Sequence, residues 1–463
     1  MSEIVCISPI DGSVVDRRPT LSGSAIEAAL TAARQAQREW AATPLAERCA
    51  KALAFLDAML AMKDEVVPEL AWQMGRPVRF GGEFGPMTDR VRYMVANAEA
   101  FLAPLVPAGA SDASIRRFIR REPLGVVFTI APWNYPYLTA VNSVVPALVA
   151  GNAVLLKHAA QTILVGDRFQ MAMDRAGLPK GLFQTLALSH EDTSRIISAG
   201  AVDLVCFTGS TAAGQVIERA AAGTFTNVGL ELGGKDPAYV RADANLEHAI
   251  ENLVDGAFYN SGQCCCGIER IYVHESLYDR FVEGAAALAA KYVLGDPRDQ
   301  ATTLGPMAQA RLAQVVRDQT AEALAMGAKA LIDTTPFAAD RGEGAYLAPQ
   351  VLVDVDHRMR VMTEESFGPV VGIMKVSGDE EALKLMNDSV YGLTAAIWTS
   401  DVDAAQALGE RIETGTVFMN RCDYLDPGLA WTGVKDTGRG ATLSKLGYDA
   451  LTRPKSFHLR SLA

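Results

Sequence analysis

Leu124-Gly125-Val126-Val127-Phe128-Thr129-Ile130-Ala131-Pro132-Trp133-Asn134-Tyr135-Pro136 joins a strand signature to a rigid turn. Its first half, Leu124–Ile130, is an apolar, β-branched run of strand length, and its second half is a turn bracketed by prolines. Strand-like runs recur downstream at Val154–Lys157, Val202–Phe207, Asn227–Leu232, Pro237–Val240 and Arg270–Val273. Helical runs separate or follow them at Asn245–Phe258, Leu277–Tyr292, 308–326 and 379–387. Alternation of this kind predicts an α/β fold with mostly parallel sheets, and a second α/β half follows Gly234. Upstream, residues 24–75 are helical: Ala28, Leu30, Ala33 and Ala36 recur near one face, and Ala46 to Met62 is a second amphipathic run. Residues 335–344 are an exposed loop by composition.

Two short segments, Ile115–Glu122 and Ser456–Leu462, stand apart as isolated strands. Arg116, Arg117, Arg120 and Arg121 flank Phe118 and Ile119, the pattern of a charged edge strand. The two segments are expected to form a small appended sheet that pairs between subunits, unless 456–462 is a frayed tail. Over 463 residues the formal net charge is −11, which argues against a general affinity for nucleic acid or anionic membranes. The start, Met1-Ser2-Glu3-Ile4, lacks the basic and apolar regions of a signal peptide, and Pro146, Gly151 and Asn152 interrupt the longest apolar run. Seven cysteines, an odd number, point to free thiols in a reducing compartment, so the expected location is cytoplasmic.

Four motifs carry chemistry. Asn260-Ser261-Gly262-Gln263-Cys264-Cys265-Cys266-Gly267 follows a helical run. It lacks the ligand spacing of a metal site, so no metal is expected. Its thiols are either small buried hydrophobes or a nucleophile, and a thiol at a helix mouth gains thiolate character from the dipole. Leu230-Glu231-Leu232-Gly233-Gly234-Lys235 closes a strand. Glu231 is either an outward strand-end residue or a carboxylate that burial tunes toward a general base. Asn134 is a turn residue or a rigid amide donor suited to an oxyanion hole. Phe207-Thr208-Gly209-Ser210-Thr211 joins a strand to a helix, where Ser210 is an ordinary N-cap or a pyrophosphate donor.

In this order, the four motifs identify the chain by resemblance as a member of the aldehyde dehydrogenase superfamily, from about Pro9 to the C-terminus. Glu364-Glu365-Ser366-Phe367-Gly368-Pro369, Tyr391-Gly392-Leu393 and Gly415-Thr416-Val417-Phe418-Met419-Asn420 strengthen the likeness. The resemblance implies a Rossmann-like NAD(P)-binding domain (1–113 and 124–233), a catalytic α/β domain (234–436) and oligomerisation strands (114–123 and 454–463). It implies a homodimer or homotetramer that oxidises an aldehyde to a carboxylic acid with NAD or NADP. Cys265, the second residue after the Gly-Gln pair, would form the thiohemiacetal and then the thioester. Asn134 would hold the oxyanion and Glu231 would activate water. Lys157, Gly209, Ser210, Trp133, Glu365 and Phe367 would bind the cofactor.

The sequence also departs from the family pattern. Where a Glu commonly follows Lys157 by three positions, this chain has Ala160. Loss of that carboxylate removes a contact to the NAD ribose and a charge that would repel a 2′-phosphate, so NADP is expected to be tolerated. Members acting on succinate semialdehyde resemble one another in two tunnel arginines, whose counterparts here look like Asn142 and Tyr259. That favours a neutral aldehyde, with Tyr135, Tyr259 and Trp431 as aromatic walls and Arg421 near the tunnel exit as partial compensation. The alternative is a carboxylate-bearing substrate such as succinate semialdehyde. A coenzyme-A-acylating enzyme, a thiol esterase and a cofactor-binding protein without turnover also stay open.

Overall fold

A computed structural model describes residues 2–108 and 114–462. The domain boundary expected at residue 113 and the chain end at 463 lie outside them. Among the described residues the chain builds two separate doubly wound sheets. The first orders its strands Gly438–Arg439, Asn227–Glu231, Leu204–Thr208, Val126–Ala131, Ala153–His158 and Phe183–Thr185, all parallel except the first. Val126–Ala131 is buried at every residue, which explains its unbroken apolar sequence. It is earliest in sequence and lies in the middle, so the strand order reverses beside it. A crevice therefore opens past the carboxyl ends of Val126–Ala131 and Leu204–Thr208.

The second sheet runs Lys329–Ala330, Gln350–Val353, Val370–Val376, Ile268–His274, Asp236–Val240, Thr394–Trp398 and Thr416–Met419, with only the first strand antiparallel to its neighbour. Each sheet carries its own hydrophobic core. The segment 437–453 returns to the first core, where Tyr448 and Leu451 are buried.

Four helices, Gly23–Ala42, Leu45–Leu60, Lys63–Met74 and Phe84–Leu102, precede the first parallel sheet. The first starts where Ser22 Oγ accepts the Ala25 N–H, and buries Ile26, Ala29, Leu30, Ala33, Ala36 and Trp40 along one stripe. The two isolated strands, Ile115–Pro123 and Thr452–Arg460, pair antiparallel with each other within the chain. Phe118 and Phe457 stack across them with centroids 4.5 Å apart. The second strand starts and ends earlier than the expected 456–462, because Thr452 pairs directly with Pro123. Among the described residues no helix is long and apolar enough to cross a membrane.

Candidate active site

Two cavities meet at Cys265 and Glu231. The larger, about 890 Å³, fills the crevice of the first sheet and is lined by Trp133, Asn134, Lys157, Gly209, Ser210, Glu365 and Phe367 among others. The smaller, about 340 Å³, is a tunnel walled by Tyr135, Leu138, Asn142, Tyr259, Leu425 and Trp431. Cys265 and Glu231 line both. Cys264 and Cys266 line only the tunnel.

Glu231 ends its strand between two hydroxyl donors: Thr208 Oγ1 at 3.1 Å and Thr442 Oγ1 at 2.6 Å. Burial pushes its carboxyl above the usual range, and the two hydroxyls, which favour the carboxylate, oppose that rise. A third cavity of about 430 Å³ lies behind the same carboxylate, lined by Thr129, Ser143, Cys206 and Thr442.

The cysteine loop differs from the expectation of a thiol at a helix mouth. The helix Leu246–Phe258 ends before it, and Asn260 and Ser261 turn the chain at φ 53° and 57°. A helix C-terminus faces the loop, so the dipole gives no help to a thiolate. Cys264 and Cys266, on either side of Cys265, instead hydrogen-bond each other, their Sγ atoms 3.5 Å apart. The S–H groups of Cys265 and Cys266 hold Cys264 below the usual thiol range, and charge on Cys264 pushes Cys265 and Cys266 up. Ionisation of one thiol therefore opposes ionisation of the other two.

Asn134 is fixed by a buried network that sequence reasoning missed. Its Nδ2 donates to Gln263 O at 3.3 Å, inside the cysteine loop. Its backbone oxygen accepts from Arg76 Nη2 and from Asn260 Nδ2. Arg76 Nη1 pairs with Glu83 Oε1 at 2.6 Å, and Glu83 Oε2 accepts the Leu138 N–H near the start of the helix Pro136–Val149. Glu83 therefore links the Asn134 turn to the helix that follows it.

The larger cavity suits a dinucleotide. Lys157 ends in its wall without an ion-pair partner among the described residues, and burial lowers its ammonium below the ordinary range. Ser210 caps the helix Thr211–Ala221 at the crevice, so both sequence readings of that residue are compatible. At Gly209 a Cβ would lie 2.7 Å from the Phe207 ring, and at Gly233 one would lie 2.6 Å from the Glu365 carboxylate. Glu365 Oε1 accepts the Gly234 N–H at 2.9 Å, and burial lifts its carboxyl to about 8. Trp133 and Phe367 meet edge to face at 5.6 Å.

In the tunnel, Tyr135, Asn142, Tyr259 and Trp431 stand where expected. Arg421 is exposed, and its guanidinium stacks at 3.6 Å from the ring centroid of Tyr424, which does line the tunnel, so it stands near the exit as expected without reaching inside. An arginine beside an accessible aromatic face gains from that stacking and keeps its hydration. The cations of the wall itself are Arg76 and Arg90, both buried.

A sheet crevice fit for a nucleotide, opening onto a tunnel through a shared thiol and carboxylate, points to a class: α/β oxidoreductases. The chain belongs to the aldehyde dehydrogenase family, whose sequence model matches residues 1–457. It is 34% identical over 453 residues to a succinate-semialdehyde dehydrogenase [NADP(+)] of Deinococcus radiodurans, covering 97% of this chain and 93% of that one. It is equally 34% identical, over 449 residues, to a geranial dehydrogenase of Castellaniella defragrans, covering 95% and 92%. Among solved structures, a succinic semialdehyde dehydrogenase from Streptococcus pyogenes in complex with NADP+ superposes with a TM-score of 0.93 at 29% identity, covering 99% of this chain and 100% of that one. Like its relatives, the protein is an enzyme that oxidises aldehydes to carboxylic acids.

Proposed function

We propose that Cys265 is the nucleophile of this oxidation, Asn134 its oxyanion donor and Glu231 its general base. The observation that carries this reading is the position of Cys265 and Glu231 in the walls of both cavities. Cys265 gives up its thiol proton to water, its sulfur bonds to the aldehyde carbon, and the C=O π pair moves onto the oxygen, which gains negative charge. The Asn134 side-chain amide, with Nδ2 held by Gln263 O and its backbone oxygen by Arg76, and the Cys265 N–H receive that charge. After oxidation the acyl group remains on Cys265 as a thioester. Glu231 then takes a proton from water, the water oxygen adds to the thioester carbon, and the sulfur leaves. Asn134→Ala is expected to lower kcat by about 10²–10³-fold, the scale of one oxyanion donor. Stopped-flow rates of the first turnover measure it, and a loss below about threefold counts against the assignment.

NAD or NADP occupies the larger cavity in this reading and supplies the two-electron acceptor. Lys157 would hold the adenosine ribose, Gly209 and Ser210 the pyrophosphate, Glu365 the nicotinamide ribose, with Trp133 and Phe367 packing nearby. The Lys157 charge already pulls the His190 imidazole, in the same cavity wall, below its ordinary range, and Ala160 adds no carboxylate. That surplus of positive charge suits a 2′-phosphate. NADP is therefore accepted alongside NAD, and Ala160→Glu is expected to shift the kcat/KM ratio toward NAD by about tenfold or more, a change of ~1.4 kcal/mol. A wild-type preference for NAD above about a hundredfold would sink this.

The same reading assigns residues 1–113 and 124–233 to cofactor binding, 234–436 to catalysis, and 114–123 with 454–463 to assembly of a homodimer or homotetramer. The exposed Leu459 on the appended sheet supports the last of these. The seven unbridged cysteines support a reducing, cytoplasmic setting. The decisive experiment is an aldehyde panel with both cofactors, followed by nicotinamide absorbance; no turnover with any aldehyde would overturn the site assignment.

A further inference from the structure

The relatives do not settle the substrate. Equal identity links the chain to an enzyme named for a carboxylate-bearing aldehyde and to one named for geranial. The tunnel wall is more specific, because it holds a buried charge without a counter-charge.

Arg90 lies on the helix Phe84–Leu102, at 6% exposure, and lines the tunnel. Its Nη1 donates to two neutral oxygens, Leu138 O and Asn142 Oδ1, each at 3.0 Å. Its Nε is buried and finds no acceptor among the described residues. Nor does any carboxylate among them form an ion pair with it. The nearby acids are engaged otherwise: Glu83 with Arg76 and the Leu138 N–H, Glu231 with Thr208 and Thr442. Two more carboxyls line the tunnel. Asp89 is exposed, and burial lifts Asp423 to about 8, so it is largely protonated at neutral pH and offers a donor. Burial likewise draws the Arg90 guanidinium below the ordinary arginine range, with Glu83, Glu231 and the cysteines opposing that pull. A guanidinium nonetheless stays charged in a protein. An unpaired buried charge is costly, and it persists where a ligand completes the pair.

We propose that Arg90 recognises the terminal carboxylate of an ω-oxo acid, and so selects short aldehydes that carry an acid group. This rests on the reading of the Cys265–Glu231 tunnel as the substrate site. Arg90 is then a specificity residue: its donors engage the far end of the substrate while the aldehyde carbon meets Cys265. Two donors of one guanidinium can meet both carboxylate oxygens, a geometry that no neutral tail reproduces. The tunnel's volume of about 340 Å³ favours a short chain.

The test compares succinate semialdehyde with pentanal in initial-rate assays of the wild-type enzyme and of Arg90→Met and Arg90→Lys. The wild type is expected to favour succinate semialdehyde in kcat/KM by at least about tenfold. In Arg90→Met that ratio should fall about thirtyfold, carried by KM, with Arg90→Lys between, as fits loss of a charged hydrogen bond. A wild-type ratio at or below one overturns the proposal. So does a ratio unmoved in Arg90→Met while kcat and its pH profile change for both substrates, since Arg90 would then act through Glu231. Calorimetric titration of the wild-type enzyme with succinate gives a readout independent of turnover and of the variants' folding. Saturable binding that succinamide does not reproduce supports the carboxylate site, and equal or absent binding of the two refutes it. Failure to oxidise either aldehyde would instead strike the Cys265 assignment, and leave the titration to judge Arg90.

Discussion

Cys265→Ala is expected to lower aldehyde oxidation by at least about 10⁴-fold, the scale on which removing a covalent nucleophile acts. Cys264 and Cys266 touch the tunnel as well, so proximity to substrate does not single out Cys265. The nucleotide cavity does, because the acyl-bearing sulfur must sit where the aldehyde carbon can pass electrons to a bound acceptor. Only Cys265 of the three lines both spaces. Coupled ionisation in the cluster gives this assignment a second consequence. Charge on Cys264 is stabilised by the S–H groups of its neighbours, so Cys264→Ala should change the pH at which a thiol alkylates without removing the reaction at Cys265. Peptide mapping after limited iodoacetamide treatment, in parallel with turnover, separates the roles. Turnover above about 1% of wild type in Cys265→Ala would remove the assignment.

The parts of the site that lie on local sequence were legible before any coordinates. The run Leu124–Pro136 specifies a buried strand and a fixed turn through its own residues, and Phe207–Thr211 specifies a strand-to-helix junction. Both stand where their sequences put them. What the sequence concealed is held by contacts between distant segments. Arg76 reaches Asn134, Thr442 reaches Glu231, and Glu365 folds over Gly233, and no local pattern marks these partnerships. Cys265 lacks the expected helix dipole for a related reason. The loop follows a helix, but its direction relative to that helix depends on the left-handed Asn260 and Ser261. Arg90 was within reach: the buried stripe Phe84, Met87, Arg90, Val91, Met94 and Ala98 puts an arginine on an apolar helix face. A charged residue at a core position is the signal that was there to be used.

Glu231→Gln is expected to halt the enzyme after one turnover. The amide keeps the shape of the side chain but cannot take a proton from water, so the thioester forms and persists. A burst of about one equivalent of reduced nicotinamide per site should precede a steady rate lower by about 10²–10⁴-fold, the range of general-base catalysis. Intact mass should show the acyl group on the protein, and hydroxylamine should release it. The pH dependence follows from the buried carboxyl. Burial raises its pKa, and the working base is the ionised form, so the steady rate rises with pH through a range above that of an exposed glutamate. Glu231→Gln should flatten that limb. Thr442→Val removes the 2.6 Å donor that favours the carboxylate, so it should move the limb to higher pH. A shift to lower pH would contradict the assignment of that limb to Glu231. Steady turnover without a burst, at a rate within about tenfold of wild type, would mean that another group activates the water. The cavity behind Glu231, rich in hydroxyl groups, would then be the place to look for it.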